Sequence, residues 1–94
     1  MAKFELGQVM MTAGISTCIK NNKQFEIDVN AALKKYRDAD WSDMKYEEDK
    51  RQNDHAVSKN TGSIFATYNT CEGTIYIVTE WDRSITTILL PDEY

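Results

Sequence analysis

The hydrophobic pattern along the chain changes its period once, near residue 60. Before that point it is helical. Phe25, Val29, Ala32, Leu33 and Tyr36 fall at i, i+4, i+7, i+8 and i+11, the spacing of one helix face. Lys23, Glu26, Asn30, Lys34 and Arg37 fill most of the opposite face, so a helix is predicted over 23–37. Ile15, Cys18 and Ile19 repeat at i, i+3 and i+4, which predicts a shorter helix over 13–19 with Thr12 as its N-cap. Asn21 and Asn22 break that helix and can cap the next. Residues 7–12 read as a short strand or an extended lead-in. A third helix is predicted over 44–58, with Asp43 or Ser42 as cap and Glu47 and Glu48 favoured by the helix dipole. Its middle is unusual, because Glu47 to Asp54 contains no apolar residue. Such a helix has little area to bury and needs polar contacts to stay docked. Asn53 lies one turn before Val57 on the inward side, and a buried Asn needs partners.

After residue 60 the period is two. Ser63–Asn69, Thr74–Glu80 and Ile85–Leu90 are dense in β-branched and aromatic residues and read as three strands. Thr70–Gly73 and Trp81–Ser84 are the hairpin loops between them. Alternation places Ile64, Ala66 and Tyr68 opposite Phe65 and Thr67, and Ile75 and Ile77 opposite Tyr76 and Val78. Both faces are partly apolar. Helices are expected on one face, with some apolar surface left on the other. The expected fold is a single α+β domain spanning 1–94, about three N-terminal helices packed on a three-stranded antiparallel C-terminal meander.

Charge sharpens this picture. Residues 1–59 carry ten acids and ten bases, so the whole net charge of −4 falls in residues 60–94, where Arg83 is the lone base. That opposes a phosphate-binding surface, and no direct nucleic-acid binding is expected. Lys34, Lys35 and Arg37 read as a solvated helix face. No apolar run approaches the roughly 20 residues of a membrane span. The stretch Met1–Glu5 has no continuous apolar run of the kind a secretory signal requires. A reducing, cytoplasmic setting with Cys18 and Cys71 as free thiols is therefore expected.

The chemistry on offer is thin. There is no glycine-rich phosphate loop, zinc signature or nucleophile elbow in the sequence. His55 is the lone histidine and reads as a surface residue. Glu47, Glu48, Asp49 and Asp54 form an acidic run, but Lys50 and Arg51 interleave and explain it as ion pairs. No catalytic residue, metal or cofactor is expected. Two local features stand out. Asp40, Trp41 and Asp43 form a loop rich in turn and cap residues, with Trp41 as a core anchor. Glu80, Trp81, Asp82 and Arg83 concentrate a tryptophan and an arginine on a hairpin tip, a combination enriched at binding hot spots. In the structural reading of that tip, Arg83 pairs with Glu80 or with Asp49, and Asn53 bonds to the same hairpin.

The segment from Ile75 to Tyr94 reads Ile-Tyr-Ile-Val-Thr-Glu-Trp-Asp-Arg-Ser, then Thr86-Thr87, an aliphatic run, and Pro91-Asp92-Glu93-Tyr94. With Ala39-Asp40-Trp41-Ser42-Asp43, Asp49, Asn53 and Thr12-Ala13-Gly14-Ile15, it resembles a family of short uncharacterised proteins of phages, prophages and plasmids. The resemblance covers nearly the whole chain. Ala39 and Ser42 stand where that family has glycines, which leaves the loop's backbone shape open. The resemblance implies a setting on a mobile genetic element in a bacterial host, and no catalytic residue is carried over from it.

Three functions compete at this point. One is an accessory protein that docks on a protein partner, with counter-defence as one version. A second is a metal-dependent hydrolase, which would need Asp40, Asp43, Glu80 and Asp82 to converge. The third is a structural homo-oligomer that covers the second sheet face with another copy.

Overall fold

Between Asn22 and Arg37 the chain adopts the helix its periodicity predicts. Helix α2 runs Lys23–Arg37, with the Asn22 side chain accepting from the Phe25 N–H. Phe25, Val29, Ala32 and Tyr36 are its buried face. Ahead of it, α1 runs Ala13–Asn21 and buries Ile15, with Thr12 as N-cap. The computed structural model describes residues 3–94; Met1 and Ala2, part of the stretch read for a leader, lie outside them.

Helix α3 is shorter than expected and starts later, at Glu47–Lys59. Neither Ser42 nor Asp43 caps it. The Asp43 carboxylate is already engaged, by Lys35 Nζ at 3.2 Å and the Asn69 N–H at 3.1 Å. Residues 41–44 instead close a turn, Met44 N–H to Trp41 O at 2.9 Å, which draws Met44 into the core, and Tyr46 is extended. No side-chain cap bonds the start of α3, so Glu47, Glu48 and Asp49 favour it through the dipole and, for the two glutamates, through i,i+3 ion pairs with Lys50 and Arg51.

The sheet corrects the expected meander. Its strands are β1 (Gln8–Met11), β2 (Ile64–Thr70), β3 (Gly73–Thr79) and β4 (Ile85–Leu89), in the order β1-β4-β3-β2. The last three form the antiparallel hairpins, but β1 adds a fourth strand parallel to β4, so the sheet is mixed and the chain opens with a strand. Gly7 makes this possible. It sits at φ +64°, and any Cβ there would run into the backbone of Arg83 and Ser84. With no side chain in the way, Gln8 N–H reaches Ser84 O at 2.9 Å and Thr12 N–H reaches Ile88 O at 3.1 Å.

The helices cover one sheet face, where Ile64, Ala66, Tyr68, Ile75, Ile77 and Ile88 meet α1 and α2. A hydroxyl chain crosses this core. Tyr36 Oη lies 2.7 Å from Thr79 Oγ1, Thr79 Oγ1 lies 2.7 Å from Thr86 Oγ1, and Thr86 donates to Leu6 O at 2.6 Å. Each hydroxyl has one proton, so the last bond polarises the rest: Thr79 donates to Thr86, and Tyr36 to Thr79 or to Ile64 O. Burial holds the Tyr36 phenol well above its ordinary pKa, so it stays a donor. On the other face no α-helix packs among the described residues; a 3-10 turn, Pro91–Glu93, follows β4 and lies against β3, so the helical segments are not all N-terminal as expected. Phe65, Tyr76 and Tyr94 form an edge-to-face cluster there, and Leu89, beside Tyr76, is buried.

Replacing Gly7 by alanine adds a clash to a left-handed backbone strain and is expected to cost about 2–4 kcal/mol. Chemical denaturation measures it, with loss of β1 pairing as the structural signature.

Candidate functional site

The hairpin Glu80–Ser84 is built as a rigid tip. Glu80 N–H donates to Ile85 O at 3.0 Å and Arg83 N–H to Glu80 O at 2.9 Å. Asp82 accepts from Ser84 N–H at 3.1 Å and from Ser84 Oγ at 2.6 Å, and these bonds hold its carboxyl below the ordinary range. Arg83 takes φ +61°, where hairpin loops favour glycine. The loop has no glycine to offer, so the arginine carries the strain.

What it gains is burial of its guanidinium among carbonyl oxygens. Nη1 donates to Gly62 O at 2.6 Å, Trp81 O at 3.2 Å and Glu80 O at 3.3 Å, and Nη2 donates to Ala56 O at 3.0 Å. Arg83 is only 9 % exposed, and its Nε finds no acceptor among the described residues. The expected carboxylate pairing is therefore corrected: neither the Glu80 side chain nor Asp49 takes part, and both are exposed. The acceptors are backbone dipoles instead. The Ala56 carbonyl, which also accepts from the Asn60 and Thr61 N–H groups, belongs to the last turn of α3, where the dipole favours a cation. Arg83 is thus a C-terminal cap supplied from across the fold.

Asn53 also differs from expectation. It is buried, but it bonds β2 and not the hairpin: its Nδ2 donates to Phe65 O at 2.8 Å and its Oδ1 accepts from Phe65 N–H at 3.4 Å. A side-chain amide here imitates a neighbouring strand on the β2 edge. Asp43 blocks the same edge two pairs further on, at the Asn69 N–H.

The Asp40–Asp43 loop anchors α3 from its other side. Trp41 is 5 % exposed and stacks edge-on against Tyr36, while its Nε1 donates to Asp54 at 2.8 Å. The Ser42 hydroxyl and then its N–H, at 3.0 Å, hold the Asp40 carboxyl below its ordinary range, and the Asp40 carbonyl accepts from Tyr68 Oη at 2.9 Å. Ala39 lies at φ +57°, and the Ala39 and Asp40 N–H groups close the end of α2 on Tyr36 O and Lys35 O. A left-handed residue in that position is the usual glycine site at a helix end.

Chemically, this constellation is structural. The carboxylates of Asp40, Asp43, Asp54 and Asp82 all accept hydrogen bonds within the fold. Among the described residues no three of His, Cys, Asp and Glu come close enough to share a cation. Glu47 pairs with Lys50 and Glu48 with Arg51. Lys34 pairs with Asp38, and Cys18 and Cys71 are both free. Among the described residues no helix is long and apolar enough to cross a membrane.

Some residues of consequence escaped the sequence reading. Glu93 is one: Thr12 Oγ1 donates to it, as do Gly14 N–H at 3.1 Å and Leu90 N–H at 2.9 Å. The Pro-Asp-Glu-Tyr segment thus clamps the start of α1. Thr79 and Thr86 are others, since period-two alternation marks them as inward but not as bonded to each other. No family model, curated protein or solved structure matches the chain.

Two outcomes test this arrangement. Arg83→Ala removes the partner of four carbonyls and keeps the left-handed strain, and is expected to cost about 2–4 kcal/mol. Arg83→Gly relieves the backbone and is expected to cost about 1 kcal/mol less, as urea denaturation would show. The second concerns acid. The bond from Thr12, with help from the Leu90 and Gly14 N–H groups, holds the Glu93 carboxyl below its ordinary value. The folded chain then binds fewer protons than the unfolded one as pH falls, so this stability is full above the unfolded value, about 4.3, and is lost through the lower folded value. The melting temperature should hold from pH 7 to about 5 and drop below about 4, with Glu93→Gln lowering the plateau and shallowing the drop.

Proposed function

We propose that this chain is a small non-enzymatic accessory protein of a mobile genetic element. It works in the bacterial cytoplasm by binding a protein, and its role is counter-defence, the blocking of a host complex that handles nucleic acid. The observation that carries this reading is Trp81. It is 71 % exposed at the tip of a hairpin whose neighbours Asp82 and Arg83 are fixed by hydrogen bonds. An exposed tryptophan on a stiff turn loses little entropy when a partner closes over it, which is how a few aromatic anchors dominate an interface. The division of labour within the tip supports the same view: Arg83 and the Trp81 carbonyl serve the fold, while the Trp81 indole makes no hydrogen bond or aromatic contact among the described residues. The acidity of residues 60–94 suits a basic partner surface. The resemblance to short phage, prophage and plasmid proteins supports the setting.

The test is affinity capture from lysate of the native host, read by mass spectrometry, with the wild-type chain and Trp81→Ala as baits. The variant should unfold at an unchanged denaturant midpoint and lose the captured protein by at least about tenfold. Equal capture by both baits removes Trp81 from the interface. No stable protein on either bait counts against the binding reading as a whole.

A further inference from the structure

The two edges of the sheet are treated differently. The β2 edge is closed by Asn53 at Phe65 and by Asp43 at Asn69. The β1 edge is open. Gln8 and Thr12 point their N–H groups at β4, so alternation turns the N–H and C=O of Val9 and Met11 outward. Neither has a hydrogen-bond partner there among the described residues. Val9, Met10 and Met11 are 41, 47 and 45 % exposed, three consecutive large apolar side chains on a strand with no charge, proline or bulge to blunt it. Its four-residue length is the one protection it shares with natural edge strands, which otherwise carry such residues or are paired.

Beside this edge, on the helix side of the sheet, lies an open depression of about 570 Å³. Phe4, Leu6, Val9 and Leu33 give it apolar walls. Lys3 and Arg37 stand at its rim, brought together by the Lys3 N–H bond to Arg37 O at 2.7 Å. Among the described residues neither has a carboxylate partner, and with Glu5 the lining is net positive in an acidic protein.

We infer that β1 is a docking edge for an extended, acidic segment of a partner protein, which adds as a fifth strand. Its backbone pairs with the free groups of Val9 and Met11. The side chain facing Val9, with one neighbour two residues along, enters the depression, because alternate residues of a strand share a face. A carboxylate on the same segment meets Lys3 and Arg37. A second copy of this chain fits the edge less well, because it would bring Lys3 and Arg37 with a single Glu5 and so repeat the net positive charge of the depression. The inference rests on the reading of the chain as a binding module but not on Trp81.

The test is selection of a displayed random nonapeptide library on the intact protein, with Val9→Pro as the counter-bait. That substitution removes an N–H that the fold leaves unused, on an edge where proline is tolerated. Enriched peptides should alternate apolar residues and carry an acid. They should bind at least about tenfold more weakly to Val9→Pro and to the Lys3→Glu/Arg37→Glu double variant, and slow amide exchange at Val9 and Met11. A synthetic winner N-methylated at alternate amides keeps its side chains and should lose binding without any change to the protein. Equal selection by both baits, or binding indifferent to N-methylation, overturns the inference. So does a sedimenting dimer with β1 amides protected in the absence of peptide, which would give the edge to a second copy. Lysate capture that depends on Trp81 while no peptide is selected removes this site and leaves the proposed function standing.

Discussion

Arg83 donates from one guanidinium to the end of α3, to the loop after it and to its own hairpin, through the carbonyls of Ala56, Gly62, Glu80 and Trp81. It has no carboxylate to neutralise it. Its charge is met by backbone carbonyl dipoles and by the negative end of a helix, whose oxygens have a second lone pair to offer beside any backbone bond they already make. A planar donor with five N–H groups can serve several carbonyls at once, which a lysine ammonium cannot do with the same geometry. The left-handed φ of Arg83 aims the side chain inward, so the strain in the turn and the burial of the cation belong to the same arrangement.

The position of α3 follows from this contact and two others. The helix buries Asn53 and Ala56, too little apolar surface to hold it by area alone. Arg83 grips its C-terminal end, Asn53 fastens its middle to β2, and Asp54 receives the Trp41 indole N–H. Directed bonds of this kind fix a helix in one orientation. They also close the β2 edge as a by-product, because the amide that anchors the helix occupies the ladder positions a further strand would use. The sheet is thereby left with one usable edge, at β1.

Contacts between the ends of the sequence close the fold. Glu93 and Thr12 are 81 positions apart, Thr86 and Leu6 are 80 apart, and Gly7 lies against Arg83 and Ser84. The N-terminal segment that lays β1 beside β4 therefore depends on the same hairpin that holds α3. Trp81 projects from that hairpin, while β1 offers its edge nearby. The candidate contact surfaces are extensions of one rigid unit.

The sequence alone determined the elements whose signal is local. Helix α2 was legible from five apolar residues at helical spacing, and β2, β3 and β4 from alternation, because each must present one face to a core whatever that core contains. The need of α3 for polar anchors was also legible, from its empty apolar face. Tertiary structure decided the rest. β1 is four exposed residues with a parallel partner some 77 positions away, as the pairing of Gln8 with Ile85 shows, and no local periodicity encodes such a pairing. The late start of α3 came from Met44 entering the core and Asp43 being taken by Lys35 and Asn69, a competition that cap preferences do not register. The sequence marked Arg83 as alone among acids and suggested a carboxylate partner. Only the folded chain brings four backbone carbonyls to one point, and a buried cation binds the acceptors that geometry presents to it.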